Sequence, residues 1–160
     1  MDVTRRTATS PVAPSNSPGR WEHFEHRADV GVRGIGPTCA AAFEQAALAL
    51  TAIVTPAQGV AARQRIKLAC RAADLESLLV AWLNALLTQM AVRHMVFGKY
   101  RVEIQTSTDH EAALRASAWG EPVSVARHQP AVEVKGATYT ALRVGPCDGG
   151  GWLAQTVVDV

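Results

Sequence analysis

The sequence has few cysteines, no long uninterrupted apolar run and no leader-like start, and each absence excludes a class of protein. Cys39, Cys70 and Cys147 lie far apart without a CxxC pair, so we expect neither a disulfide framework nor a cysteine-based zinc site. Charged or polar residues interrupt every apolar stretch before the roughly 18 positions of a membrane span. No apolar segment follows Arg5 and Arg6, which predicts no signal peptide. A reducing cytoplasm is the predicted location.

The chain also lacks a strong excess of charge. Its 16 basic and 14 acidic side chains give a formal net charge of +2, a balance that predicts no strong attraction to nucleic acid by itself. Arg63, Arg65, Lys67 and Arg71 cluster around one predicted strand, but without interleaved aromatic residues they are typical of the solvated face of an edge strand. A connection with RNA would therefore be indirect, through a partner, or would depend on a local feature.

Length and composition favour one folded domain with an N-terminal arm. The 160 residues, 48% of them hydrophobic, suit a single core. Residues 1–20 are rich in Pro, Ser, Thr and Ala and contain too little apolar surface to build a core. We predict a disordered arm over residues 1–20 and an ordered domain over residues 21–160.

Hydrophobic periodicity predicts two main helices and several strands. One helix is expected from about Cys39 to Val54, with Thr38 as its N-cap, and the second follows Asp74 with an apolar stripe that extends to Met90. Strand-like patterns cover residues 21–26, 30–35, 64–70, 100–105, 114–119, 134–144 and 152–158. These elements predict a single α+β domain with a mixed or mostly antiparallel sheet packed against two main helices.

Two aspartates stand beside predicted strands at opposite ends of this domain. Asp29 precedes the second strand, close to Gly31, and Asp159 is adjacent to the terminal carboxylate of Val160. If the last strand runs beside the second, these groups converge, and their hard oxygens favour Ca²⁺, Mg²⁺ or Mn²⁺ over zinc. An aspartate near a glycine is more often a turn residue, however, and a penultimate aspartate is usually part of a solvated tail. The residues alone leave both interpretations open.

Several motifs together resemble the archease family. Their order and spacing match from Trp21 to Val160, although the family commonly has Thr at Arg27, Ala at Gly136 and His at Thr140. The motifs are Glu25-His26-Arg27-Ala28-Asp29-Val30-Gly31, Asp74-Leu75-Glu76 with Trp82-Leu83-Asn84, Ala118-Trp119-Gly120-Glu121-Pro122, then His128, Pro130 and Glu133-Val134-Lys135-Gly136-Ala137-Thr138-Tyr139, and the C-terminal Val157-Val158-Asp159-Val160.

The resemblance implies a non-catalytic helper protein. Archeases stimulate guanylylation and multiple turnover of a GTP-dependent RNA ligase of the RtcB type in tRNA splicing and RNA repair. By this resemblance, Asp29, Asp159 and the Val160 carboxylate hold a divalent metal ion, Ca²⁺ foremost with Mg²⁺ or Mn²⁺ as alternatives. Lys135, His26 and Glu133 are then the residues that support the metal site or contact the ligase. No catalytic residue is predicted, and a homo-oligomer is left open.

Two other classes of protein remain as alternatives. A metal-dependent hydrolase, such as a nuclease or phosphatase, usually needs more carboxylates than two aspartates and a chain end. A general chaperone-like binding module would act without Asp29. The glycines Gly149 to Gly151 do not form a phosphate loop, because Trp152 and Leu153 follow where a Lys and a Ser or Thr are required.

Overall fold

Two antiparallel sheets and two long helices make up the computed structural model, which describes residues 19–160. In chain order the elements are β1 (Arg20–His26), β2 (Asp29–Gly36), α1 (Cys39–Val54), a 3-10 turn (Ala57–Gly59), β3 (Gln64–Ala72), α2 (Leu75–Arg93), β4 (Met95–Thr106), β5 (Ala112–Pro122), the short helix α3 (Val125–His128), β6 (Gly136–Ala137), β7 (Arg143–Pro146) and β8 (Trp152–Asp159). The predicted α+β class is confirmed. The predicted N-terminal arm falls almost entirely outside the described residues.

The strands are divided between the two sheets by sequence position. The first sheet has the order β1-β2-β8-β6, and β7 also pairs with β8; the second has the order β3-β5-β4. All the strand pairs of residues 19–160 are antiparallel. The last strand therefore lies beside the second, so that the end of the chain returns to the start of the domain.

Both long helices begin at capping residues that the sequence predicts. The Thr38 hydroxyl accepts a hydrogen bond from the Ala41 N–H at 3.0 Å, and the Asp74 carboxylate accepts one from the Ser77 N–H at 2.8 Å. These bonds satisfy amide groups that the first turn of a helix leaves without partners. The bond from Ser77 also lowers the pKa of Asp74.

One hydrophobic core joins both sheets and both helices. α1 packs against β2 and β8 and also reaches β4, while α2 contacts all three strands of the second sheet and β6, β7 and β8 of the first. Trp82 of α2 is completely buried and donates its ring N–H to the Phe43 carbonyl of α1 at 3.1 Å. The domain is thus a single unit that positions both sheets rigidly.

The helix α2 is long and apolar enough to cross a membrane by length and composition alone. Core helices of folded domains have the same character. Here its large side chains fill the interior between the sheets, and the fully buried ones are Leu78, Leu79, Trp82, Leu83 and Leu86. The predicted cytoplasmic location stays a prediction.

Two strand predictions differ from the structure. The segment 134–144 forms regular strand only at β6 and at the start of β7. Between them its bonds to β8 are irregular: the Thr138 N–H and hydroxyl both donate to the Val157 carbonyl, at 3.0 and 2.7 Å, and the Val157 N–H donates to the Thr140 carbonyl at 3.1 Å. Ala141, with φ of +54°, then turns the chain away from an extended path. β4 begins at Met95 rather than Tyr100, because a register shift between Phe97 and Lys99 interrupts the alternation that marks the strand.

Candidate functional site

A row of polar residues crosses three strands at one end of the first sheet. His26 of β1 pairs with Asp29 of β2. On the other side of β2 the last pair is Val30 with Val158, so the same register continued by one residue sets Asp29 opposite Asp159. Residues opposite each other on antiparallel strands share a face, with Cβ atoms about 4.5–5.5 Å apart. The fold therefore brings together His26, Asp29 and Asp159, which are separated by up to 133 positions in the sequence.

The end of the chain lies at this row. The Asp29 carboxylate accepts a hydrogen bond from the Val160 N–H at 3.3 Å. Lys135 stands on the other side of β8, where its N–H donates to the Asp159 carbonyl at 2.8 Å. Gly136 pairs with Asp159, and Lys135 and Asp159 are both exposed. Glu133 is exposed in the loop that leads to this segment.

We name the corner formed by His26, Asp29, Lys135, Asp159 and Val160 the acidic corner. Two carboxylates facing each other on adjacent strands repel, and a cation between them removes that cost. Carboxylate oxygens suit a hard divalent cation, so the donor chemistry fits one. Within residues 19–160, no three His, Cys, Asp or Glu side chains cluster as a metal site. The third group of the predicted site is a main-chain carboxylate, and the metal assignment stays a prediction.

Gly31 has a packing role beside the corner. Its φ is not positive; instead, a Cβ at this position would meet ring carbons of Phe24 at 2.3–2.4 Å. The Phe24 ring lies across β2 here, and the Arg33 guanidinium covers it at 4.6 Å from the ring centroid. The glycine near Asp29 is therefore required by an aromatic ring on the neighbouring strand.

Asn84 of α2 holds the edge strand that leads to Lys135. Its carboxamide accepts a hydrogen bond from the Ala137 N–H at 2.9 Å and donates one to the Ala137 carbonyl at 3.4 Å. A two-residue strand has few ladder bonds of its own, so this side chain supplies much of what fixes β6. The sequence signal was the motif Trp82-Leu83-Asn84, but the role of Asn84 follows only from the packing of α2 against β6.

The ion pair of the buried Glu121 with Arg127 is absent from the site residues proposed on sequence grounds. Glu121 is only 2% exposed and accepts hydrogen bonds from both terminal nitrogens of Arg127, at 2.8 and 2.9 Å. It also accepts the Ala61 N–H at 2.7 Å and contacts His128 Nε2 at 3.0 Å. Hydrogen bonds from Arg127, then from Ala61 and His128, hold the pKa of Glu121 far below its ordinary value.

His128 connects this ion pair to the loop before Lys135. Its Nδ1 accepts a hydrogen bond from the Ser124 N–H at 2.8 Å, so the ring proton is on Nε2. The Nε2–H donates a hydrogen bond to the Glu121 carboxylate. The Thr55 hydroxyl donates to the His128 carbonyl at 2.7 Å. The cluster anchors the start of the loop that ends at Glu133 and Lys135.

Two aromatic residues of the family motifs lie outside the core. Tyr139 is 66% exposed in the loop after β6. Trp119 is half-buried on the outer face of the second sheet, where the Lys99 ammonium lies 4.9 Å from its ring centroid. Arg63 also departs from its expected place in a basic cluster, since its guanidinium pairs with Glu121 at 3.5 Å.

Comparison with known proteins places the whole described domain in one family. The family model of the archease protein family matches residues 21–160. The chain is 38% identical to an archease of Pyrococcus furiosus over 88% of this chain and 99% of that protein, and 40% identical to one of Thermococcus gammatolerans over the same shares. The solution structure of Methanobacterium thermoautotrophicum protein 1598 superposes with a TM-score of 0.72 and 26% identity, covering 88% of this chain and 98% of that one.

Proposed function

The chain belongs to the archease family, and from this premise we propose that it is a non-catalytic activator of a GTP-dependent RNA ligase of the RtcB type. In this proposal the protein stimulates guanylylation of the ligase and its repeated turnover in tRNA splicing or RNA repair. The observation that supports the proposal best is the acidic corner. There the Asp29 carboxylate accepts a hydrogen bond from the Val160 N–H, and Asp29 lies opposite Asp159 in the register of β2 and β8.

The acidic corner is suited to bind a phosphate-handling site on a partner. Asp29, Asp159 and the Val160 carboxylate are the groups that would hold a divalent ion, Ca²⁺ foremost with Mg²⁺ or Mn²⁺ as alternatives. When bound, such an ion neutralises the carboxylates and attracts phosphate oxygens. Lys135 adds a cation on the strand beside Asp159. His26 pairs with Asp29 and is half-buried, a position from which it orients that carboxylate.

Stimulation of a partner enzyme follows from differential binding. A helper shifts a ligase toward its guanylylation-competent state only if it binds that state more tightly than the resting state. A shift of about tenfold requires about 1.4 kcal/mol of difference in binding free energy. A few contacts made by the exposed Lys135, Asp159 and Glu133 are sufficient for a difference of this size.

The direct test is single-turnover labelling of the cognate ligase with radioactive GTP. The wild-type chain should raise the fraction of guanylylated ligase, and Asp159→Asn should lose at least about tenfold of that stimulation, because removal of one charge weakens both metal and partner binding. Asp148→Asn is the matched control, since Asp148 is an exposed aspartate in the turn before β8. Equal stimulation by both variants would remove the basis for the proposal.

The same preparations separate the alternatives. Metal-dependent release of phosphate or RNA fragments by the chain without ligase would favour a hydrolase. Stimulation that survives Asp29→Asn and extends to unrelated enzymes would favour a general chaperone-like module. Circular dichroism of each variant establishes that the fold is unchanged, because Asp159 is exposed and makes only backbone hydrogen bonds in the sheet.

A further inference from the structure

The outer face of the second sheet concentrates exposed positive charge in one place. Alternate residues of β3, β5 and β4 lie opposite one another in four rows on this face. It presents six exposed basic side chains, which are Arg65, Lys67, Arg71, Lys99, Arg101 and Arg115. Glu103 is the single acidic residue among the twelve positions that make up these four rows. The formal charge of the face is therefore +5, whereas that of the whole chain is +2.

The basic residues are arranged as two lines along the edge strands. Arg65, Lys67 and Arg71 extend along β3, and Lys99 and Arg101 extend along β4. The two edge strands are separated by two interstrand spacings, about 10 Å. Residues on one face of a strand repeat every 6–7 Å or so. The face is therefore a trough with cationic walls, wide enough for one extended polymer chain.

The central strand β5 forms the floor between these walls. Its small Ser117 lies between Lys67 and Arg101, and in the next row Arg115 lies between Ala69 of β3 and Glu103 of β4. An open depression of about 610 Å³ occupies this position. Arg115 is only loosely tied to Glu103, at 3.9 Å, and exposed pairs of this kind contribute little to stability. Its guanidinium is thus available to another anion.

An aromatic ring continues the floor at one end. Trp119 of β5 lies in register between Arg65 and Lys99. The exposed Lys99 ammonium lies over the ring, which shows that this ring face is directed toward the solvent side of the sheet. A planar base that stacks on the ring would displace the ammonium onto a neighbouring phosphate.

From this face, which we name the basic trough, we propose that the protein binds single-stranded RNA directly. A positively charged groove with an aromatic stacking platform is the combination by which proteins bind single-stranded nucleic acid without sequence preference. The trough lies on a different sheet from the acidic corner, so the proposal does not rest on ligase activation. The proposal assigns a function to these basic residues. In the sequence, the residues of each strand taken alone are typical of the solvated face of an edge strand.

The test is fluorescence anisotropy of the full chain with a labelled oligouridylate of about 20 nucleotides at several salt concentrations. The triple variant Lys67→Ala, Arg101→Ala, Arg115→Ala should bind at least about tenfold more weakly at low salt. Its slope of log affinity against log salt should fall by about 2, since each phosphate contact on a single strand contributes about 0.7. The matched control Arg20→Ala, Arg93→Ala, Arg143→Ala removes the same charge from exposed positions outside the trough and should retain most of the affinity.

A second variant tests the stacking platform without changing the charge. Trp119→Leu should weaken oligouridylate binding at least about fivefold, because stacking on an aromatic ring contributes about 1–3 kcal/mol per base.

Equal losses of affinity in the two triple variants would overturn the proposal, since net charge alone would then explain the binding. Competition by poly-glutamate as effective as that by the oligonucleotide, with no effect of Trp119→Leu, would overturn it in favour of an acidic protein partner. Asp159→Asn should bind the oligonucleotide as the wild type does. This variant therefore distinguishes failure of RNA binding from failure of ligase activation.

Discussion

At the scale of single residues, the protein stabilises buried or facing carboxylates in two different ways. Glu121 is enclosed within the fold and receives hydrogen bonds from Arg127, the Ala61 amide and His128. A buried charge is tolerated only when its hydrogen-bonding capacity is satisfied in this manner. Asp29 and Asp159 instead stand at the ends of two interior strands. Among the described residues, the hydrogen bond that either carboxylate accepts is the one from the Val160 N–H. The hydrogen-bonding capacity of the Glu121 carboxylate is thus satisfied by groups of this chain, whereas the carboxylates of the acidic corner keep oxygen atoms that a ligand could use.

The buried Glu121 makes the stability of the domain depend on acid. Its folded pKa lies below the ordinary value of 4.5, so its contribution is present above roughly pH 5 and is lost as the pH falls through and below the ordinary value. We expect Glu121→Gln to lower the melting temperature at pH 7 by about 5 °C or more and to flatten its decline between about pH 6 and pH 3.

Thermal melts followed by circular dichroism over this pH range measure the effect. Glu111→Gln is a suitable control, because Glu111 is exposed beside the turn between β4 and β5. If the two variants show the same decline with pH as the wild type, the hydrogen bonds around Glu121 do not carry the acid sensitivity.

At the scale of elements, the short strand β6 depends on a helix for its position. Asn84 of α2 bonds both the N–H and the carbonyl of Ala137, and the next residues toward the N-terminus are Gly136 and Lys135 of the acidic corner. The helix thereby connects the core to the site, because α2 is itself fixed by buried side chains such as Trp82 and Leu83.

Removal of this link should loosen the strand without unfolding the domain. Asn84→Ala is expected to raise the amide hydrogen-exchange rate of Ala137 at least about tenfold and to reduce global stability by about 1–2 kcal/mol, the net value of one or two hydrogen bonds. Thr88→Ala, on the following exposed turn of α2, should change neither. Unchanged protection of Ala137 in Asn84→Ala would show that β8 alone holds β6.

Most elements of this fold could be predicted because their side chains alternate or repeat with a regular period. The helix from Cys39 to Val54 agrees in both its bounds, since Thr38 caps it and Pro56 follows it. The break in the segment 134–144 could not be predicted, because residues of high strand propensity there bond to β8 through an irregular mixture of backbone and side-chain hydrogen bonds rather than a regular ladder. Propensity does not distinguish these two ways of satisfying the backbone.

The acidic corner was predictable only in part. The motifs around Asp29 and Asp159 identify the residues, but their register across β2 and β8 depends on long-range pairing. Asn84 and Glu121 lie within motifs that the sequence identifies, but their roles could not be predicted, since their partners lie on other elements. The basic trough also depends on long-range pairing: β3 pairs with β5 across the whole of α2 and β4, and the cations of all three strands then share one face.

At the scale of the whole molecule, the two sheets present opposite chemistry from one rigid core. The first sheet ends in the acidic corner, and the second exposes the basic trough, while α1 and α2 contact both sheets. Packed cores of this kind deform little, so the two surfaces keep a fixed relation to each other. The two proposals together predict that an RNA strand and a partner enzyme bind to the protein at the same time.

The central claim is that Asp29, Asp159 and the Val160 carboxylate together hold one divalent cation, and calcium titration calorimetry of the full chain tests it most directly. We expect one Ca²⁺ per wild-type chain, with affinity at least about tenfold weaker in Asp29→Asn, in Asp159→Asn and in a chain extended by a Gly-Ser tail after Val160, since each change removes one oxygen ligand or displaces it. Asp148→Asn should bind as the wild type does. The same calcium affinity in all of these proteins, or no calcium binding by any of them, would contradict the claim.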